Sequence, residues 1–274
     1  VWLAADAAGA SVAAWPVDAA GRPGPPVVAA TLDGLAPAGP VVADGAAAAP
    51  VLRCPVAIDA IRAVPGGRAF VVPFLEDGRA QGRTGAGRLV GALELGRWRD
   101  GPERGRLVCA CAADGIVAWA YAGQGRFQRL GVTAAGAALE DLLRRAAVPD
   151  AADEDDDVAF ERGLTIARDA RDLDGDLDRV LAQAQAGRLR CGAVGAALAG
   201  VLVGHDAARG LGLGRLGAPV LLVGAGLLAD RYAIALGRFG VAVRRIDPLR
   251  ALVAGCQAAA AGNADFHCAE SPQH

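Results

Sequence analysis

The sequence predicts an α/β protein built from two related halves, and three observations carry that expectation. A strand–turn–strand pattern near the N-terminus, with Asp6 in the turn and Trp15 on the returning strand, comes back near residue 110 with Asp114 and Trp119. Helical periodicity dominates from residue 134 onward. Residues 220–247 read as strand, Gly turn, amphipathic helix and strand. Recurrence of one supersecondary unit marks a chain with two similar lobes, and 274 residues suffice for both. The expected lobes are 1–105 and 106–274, the second carrying a helical insert and the terminal βαβ unit.

Taken in order, residues 2–5 form an apolar run that ends at Asp6-Ala7-Ala8-Gly9, and residues 11–17 run back to the turn Asp18-Ala19-Ala20-Gly21. A third strand is expected over 27–30. The Pro/Gly/Ala-rich stretch to Pro50 has no clear period and suggests a short helix at most. Residues 57–63 suit a helix closed by Pro65-Gly66-Gly67, residues 68–74 a buried strand, 76–87 a loop, and 89–98 a helix. The second copy follows. Strands are expected over 107–113, 116–121 and 126–130, with Asp114-Gly115 and Gly123-Gln124-Gly125 as turns. Helices are expected over 134–145, 158–170, 181–186 and 193–209, then strand 220–223, helix 227–239 and strand 241–246. The acidic run 150–157 suits a helix entry, where negative charge meets the positive end of the macrodipole.

Composition removes several chemistries. All 28 basic residues are Arg, Met is absent, and Ser occurs only at 11 and 271. Without Lys there is no Schiff base and no phosphate-loop lysine, and no G-x-S-x-G elbow presents a Ser nucleophile. GC-rich codon usage accounts for the chain-wide bias towards Ala, Gly, Arg and Pro. The net charge of −2 with scattered Arg argues against nucleic acid as a partner. No uninterrupted apolar stretch of ~20 residues suggests a membrane span, and no secretory leader pattern opens the chain. These features suit a cytoplasmic protein with reduced thiols, and they leave room for a homodimer.

Cys109-Ala110-Cys111 places two thiols on one face of a strand, yet no second pair or nearby His completes a zinc site. The run Asp172, Asp174, Asp176, Asp178 has the rhythm of a calcium loop but lacks its closing Glu, so an exposed turn is expected. Gly212-x-Gly214-x-x-Gly217 precedes its strand, the wrong order for a dinucleotide turn. Gly224-Ala225-Gly226 follows strand 220–223, opens a helix, and is followed by Asp247 after the next strand. That order suits either a nicotinamide nucleotide or an adenosine, and only 27 residues remain beyond Asp247 to build the rest of a dinucleotide sheet.

Four segments resemble the 2-dehydro-3-deoxygalactonokinases, sugar-acid kinases of the actin-like ATPase superfamily. They are Leu52-Arg53-Cys54-Pro55, the stretch from Arg68 through Pro73 to Gly78, Gly200-Val-Leu-Val-Gly204-His205-Asp206, and Leu222-Val-Gly224-Ala-Gly226 with the helix to Leu236. The resemblance implies a two-lobed actin-like (ribonuclease H-like) fold with mixed sheets flanked by helices. It further implies ATP with Mg²⁺ in the cleft, and γ-phosphate transfer to the terminal hydroxyl of 2-dehydro-3-deoxy-D-galactonate. By the same resemblance Asp6 would anchor Mg²⁺, and Gly9, Gly115, Gly224, Ala225 and Gly226 would line the nucleotide. Arg83, Gly204 and His205 would meet the sugar acid, and Asp114 would accept the hydroxyl proton.

The chain departs from the family where polar groups are expected. The opening Asp-Trp-Gly-Thr-Thr reads Asp6-Ala7-Ala8-Gly9-Ala10, and Arg-Gly-Glu-Glu-Thr-Gln reads Arg83-Thr84-Gly85-Ala86-Gly87-Arg88. Pro-Gly-Thr-His-Ser-Lys-Trp reads Ala113-Asp114-Gly115-Ile116-Val117-Ala118-Trp119, and Thr133 survives from a Thr-Gly-Glu stretch whose other two positions are Ala134 and Ala135. Three readings therefore stand: a sugar-acid kinase with reduced or lost activity, a catalytically silent relative that binds nucleotide or sugar acid, and an NAD(P)-binding protein.

Overall fold

Strands β1 (Trp2–Asp6), β2 (Val12–Val17) and β3 (Val27–Ala29) form an antiparallel meander. On the far side of β1, β4 (Val41–Asp44) and then β8 (Ala69–Val72) add in parallel, and β7 (Val64–Gly66) closes the edge. The second sheet repeats this wiring. Its meander is β11 (Arg106–Cys111), β12 (Val117–Gly123) and β13 (Arg126–Thr133). Strands β14 (Val220–Val223) and β15 (Val243–Ile246) then add in parallel to β11. The orders β3-β2-β1-β4-β8 and β13-β12-β11-β14-β15 are the same, so the halves are duplicates in topology as well as in sequence rhythm. The computed structural model of the chain describes residues 2–7, 11–35, 40–45, 49–66, 69–77, 82–97, 105–112, 114–145, 156–169, 172–214 and 218–261.

Strands with helices on both faces read as continuous apolar runs, and Val220–Val223 is buried at every position. The 31–50 stretch hides β4 in this way: Val41, Val42 and Ala43 are all buried, and Ala and Val without a polar alternate leave no period to detect. The run at 68–74 is split at Pro73, where the chain leaves the first sheet and enters a three-stranded one made of β5 (Val51–Cys54), β9 (Phe74–Asp77) and β10 (Arg83–Gly85). The expected loop over 76–87 therefore contains a strand. The expected helix at 57–63 is instead β6 (Val56–Ala57) followed by one 3₁₀ turn, Ile58–Ala60.

The sheets separate near residue 105, with two exchanges. Strand β6 pairs with β13, and the last helix, α7 (Pro248–Ala261), returns to lie on β1, β4 and β8. Against α7 packs α1 (Gly87–Leu95), which also reaches β11 and β14. This pair crosses so closely that a Cβ on Gly91 would lie 1.8 Å from the Ala251 carbonyl oxygen, and one on Gly255 would lie 1.7 Å from that of Gly87. Only glycine lets the two backbones meet at that distance.

Helices α2 (Ala135–Arg145), α3 (Asp157–Asp169), α4 (Leu173–Gln185), α5 (Cys191–Leu211) and α6 (Gly226–Arg238) complete the second half. The four-Asp run is the entry to α4: Asp172 accepts the N–H groups of Asp174 and Gly175, and Asp174 and Asp176 fall in the first turn. Helix α5 is long and apolar enough to cross a membrane, but most of it is buried against α2, α3, α4 and α6. Its buried Asp206 accepts from Trp119 Nε1 at 2.8 Å and Tyr232 Oη at 2.6 Å, tying β12, α5 and α6 together. Cys109 and Cys111 are both free thiols.

Two predictions follow from this packing. Gly255→Leu should cost about 2–4 kcal/mol, read as a lowered urea midpoint, because overpacked backbone contacts must separate. Burial, then the Asp206 carboxylate, pushes the Tyr232 hydroxyl far above the ordinary tyrosine range, and burial raises the thiols of Cys109 and Cys256. In the unfolded chain these groups ionise near ~8.5 for thiols and ~10 for tyrosine, so above those values the folded state holds more protons. Stability should be intact below pH ~8.5 and fall as pH rises towards ~10.5, with a shallower fall in Tyr232→Phe, as pH-dependent urea unfolding would show.

Candidate active site

Strands β1, β4, β11 and β14 all end on one side, at Asp6, Asp44, Cys111 and Val223. Carboxyl ends of parallel strands are where open α/β sheets bind ligands, because the loops that follow diverge there. Between the two sheets at this side lies a cavity of about 410 Å³. The first half contributes Ala7, Asp44, Arg83, Thr84 and Arg88 to its wall, and the second contributes Ala110, Cys111, Ala112, Asp114 and Ile116. Its charged lining groups are Asp44, Arg83, Arg88 and Asp114.

The wall is organised by Asp44, only 3% exposed. Its Oδ1 accepts from the Gly87 N–H at 2.9 Å and its Oδ2 from the Arg88 N–H at 3.2 Å, so a side chain from β4 caps the start of α1. A Cβ on Gly85 would lie 2.3 Å from Asp44 Oδ1, which explains the small residues that precede the helix. Burial raises the Asp44 pKa, opposed by the Arg88 charge and by the two N–H groups. The Arg88 side chain turns back to Asp6, its Nη2 lying 2.5 Å from Asp6 Oδ2. Burial opposes the Arg88 charge, but the carboxylates of Asp6 and Asp44 outweigh it and raise its pKa.

The predicted site residues divide into two groups. Arg83 lines the cavity, its guanidinium over the Phe74 ring at 4.8 Å from the centroid, a cation–π contact. Asp114 also lines the cavity; it is exposed and accepts the Ile116 N–H at 3.1 Å across the β11–β12 turn. Gly115 shapes that turn, and its N–H is committed to the Ala112 carbonyl at 3.1 Å. Gly224 follows β14 and packs beside cavity-lining Cys111. Ala225 and Gly226 open α6 without a side-chain cap, Gly226 has φ of +74°, and a Cβ there would meet nothing within 4 Å. That turn is an open cluster of N–H donors at a helix N-terminus, suited to an anion. Gly9 lies outside the described residues.

Gly204 and His205 are not brought to the cavity. A Cβ on Gly204 would press on Ala167 of α3, and His205 Nε2 lies 2.7 Å from Asp176 Oδ2 on α4, so both serve helix packing. Asp247, the acid placed like a ribose-binding carboxylate, accepts the Arg250 N–H at 2.8 Å and starts α7 instead. Together with the antiparallel meander beside β14, this removes the ground for a nicotinamide site.

Mg²⁺ takes oxygen ligands, commonly one or two carboxylates with phosphates and waters. Here Asp6 is paired with the Arg88 guanidinium and both Asp44 oxygens accept helix N–H groups. No group of three or more His, Cys, Asp or Glu that could hold a metal occurs among the described residues. The residues present do not fit Mg²⁺ at Asp6, because the Arg88 guanidinium of the chain itself already pairs with Asp6 Oδ2.

Sequence reasoning missed Asp44 and Arg88 as site residues. A signal for Asp44 exists, since Val41-Val-Ala-Asp44-Gly45 repeats the apolar-run-then-Asp pattern of β1. Nothing local signals Arg88, whose partner is 82 residues away. Asp44→Ala should lower stability by about 1–2 kcal/mol, since two N–H groups at the start of α1 lose their acceptor, and Asp44→Glu should not restore it. Equilibrium urea unfolding reads both.

A family model described as 2-keto-3-deoxy-galactonokinase matches residues 28–259. None of the curated proteins matches the chain. Among solved structures, a Sinorhizobium meliloti protein described as a 2-dehydro-3-deoxygalactonokinase superposes with a TM-score of 0.78 at 24% identity, covering 94% of this chain and 98% of that one. The activator of 2-hydroxyisocaproyl-CoA dehydratase from Clostridium difficile, solved with bound ADPNP, gives a TM-score of 0.48 at 11% identity, covering 99% of each chain. Component A of the (R)-2-hydroxyglutaryl-CoA dehydratase from Acidaminococcus fermentans gives 0.47 at 12%, covering 94% of this chain and 95% of that one. The fold is thus the two-lobed actin-like arrangement of mixed sheets flanked by helices.

Proposed function

Because the chain belongs to the 2-keto-3-deoxy-galactonokinase family, we propose that its cleft takes ATP and a sugar acid, and that it transfers the γ-phosphate to the terminal hydroxyl of 2-dehydro-3-deoxy-D-galactonate, giving the 6-phosphate. The observation that carries this reading is that Arg83 from the first half and Asp114 from the second line one cavity at the carboxyl ends of both sheets. A guanidinium beside an aromatic ring suits the substrate carboxylate, and an exposed carboxylate in the same lining suits the hydroxyl proton. The open turn at Ala225 and Gly226 suits the nucleotide side, as an uncapped helix start favours negative charge. Gly115 then acts by shaping the turn that presents Asp114. The lobes are proposed as 1–105 and 106–274, and the protein as a cytoplasmic enzyme.

One observation favours a second reading, binding without transfer: Asp6 is held by Arg88, which leaves the reaction without the metal anchor the fold would otherwise offer. A coupled ADP-release assay with ATP and the sugar acid separates the two. Under the kinase reading, turnover appears above the ATPase background. Asp114→Asn lowers kcat by roughly 10²–10⁴-fold. Arg83→Ala raises KM for the sugar acid about tenfold or more with a smaller effect on kcat. Binding heat for the sugar acid without any ADP release establishes the silent reading, and absence of both removes the two together.

A further inference from the structure

Asp6 and Asp44 are register partners at the ends of the parallel strands β1 and β4, so both carboxylates leave the same end of the first sheet. Two carboxylates held near each other require a proton, a metal ion or a counter-charge from the chain. Here the chain provides the charge, and one residue touches both. Arg88 donates to Asp6 through its guanidinium at 2.5 Å and to Asp44 through its backbone N–H at 3.2 Å.

Arg88 occupies the first turn of α1, where the macrodipole disfavours a cation. Helix stability therefore does not explain its position, whereas the two carboxylates do. The guanidinium stays charged at any working pH and, unlike a metal ion, cannot be lost to solvent or a chelator. Its side chain is 23% exposed and lines the cavity, so donors not used on Asp6 are available to a bound anion.

We propose that Arg88 is a built-in counter-cation that takes the place of a divalent metal ion on Asp6, making the cleft a metal-independent site for a phosphate-bearing ligand. Its ligand half rests on the nucleotide reading above; its cation half does not. Arg88 replaces two functions of a metal in such a site, neutralising Asp6 and presenting positive charge to phosphate oxygens.

The test uses the full chain and two readouts. Manganese binding without nucleotide, followed by the electron paramagnetic resonance of free Mn²⁺, is expected to show no site in the wild type. Arg88→Gln opens a Mn²⁺ site that Asp6→Asn, added to it, removes, whereas Arg88→Lys keeps the charge and the wild-type result. Circular dichroism confirms that each variant is folded. Calorimetry with ATP is expected to give the same Kd, within about twofold, in EDTA and in excess Mg²⁺, while Arg88→Gln weakens binding in EDTA about tenfold or more. A wild-type Mn²⁺ site lost in Asp6→Asn overturns the proposal, as does a folded Arg88→Gln that binds no Mn²⁺. A wild-type Kd weakened about tenfold by EDTA overturns the ligand half. ATP that binds under neither condition overturns the ligand half together with the nucleotide reading, and the manganese result still decides the cation half.

Discussion

Helix α1 begins where β4 ends, because the Asp44 carboxylate accepts the N–H groups of Gly87 and Arg88 in a place closed to water. A buried carboxylate facing two unsatisfied donors has few alternatives, since separating them leaves both sides without partners. That cap sets the position of α1, and α1 touches nearly everything else of consequence. One face carries Gly91 against α7, which holds the end of the chain on the first sheet. Other contacts reach β11 and β14 of the second sheet. Its first turn sends Arg88 to Asp6. The two sheets and the cleft between them are thus referenced to one short helix.

The duplicated wiring explains why the site sits where it does. In each half a meander is followed by parallel strands, so β1 and β4 on one side and β11 and β14 on the other end at the same face. The cavity charges are arginines and aspartates, as they must be in a chain without lysine. Arginine is the cation best able to hold a carboxylate in fixed geometry, and here it both balances Asp6 and, at Arg83, lines the cavity beside the Phe74 ring. The polar residues missing from the family motifs are therefore only part of the site's character. A different charge arrangement, Asp6–Arg88–Asp44, occupies the same ground.

The second half has its own buried polar anchor. Asp206 receives Trp119 and Tyr232, which join the meander to α5 and α6 and leave the carboxylate with two donors in an otherwise apolar cluster. The Gly–His pair beside it in sequence was expected at the substrate, yet the helix turns Gly204 towards α3 and His205 towards Asp176. A helical residue faces whatever lies over its own turn, and sequence position alone does not say whether that is a ligand or a neighbour.

The sequence by itself determined the two-half organisation, the meanders with their Asp turns, the helical insert and the terminal βαβ unit, since these rest on local periodicity and turn chemistry. Turn signals also placed Asp114 and Gly224–Gly226 just beyond strands, where the structure has them, whereas Arg83 was expected in a loop and opens β10. It did not reveal β4, whose Ala and Val have no polar alternation, or the break at Pro73, because a fully buried strand looks the same in either sheet. Only the tertiary structure decided that Asp44 caps a helix 43 residues on and that Arg88 pairs with Asp6 across 82 residues. The reason is physical: the charge state and availability of a carboxylate depend on what is packed around it, and those neighbours are assembled from strands and a helix far apart in the chain.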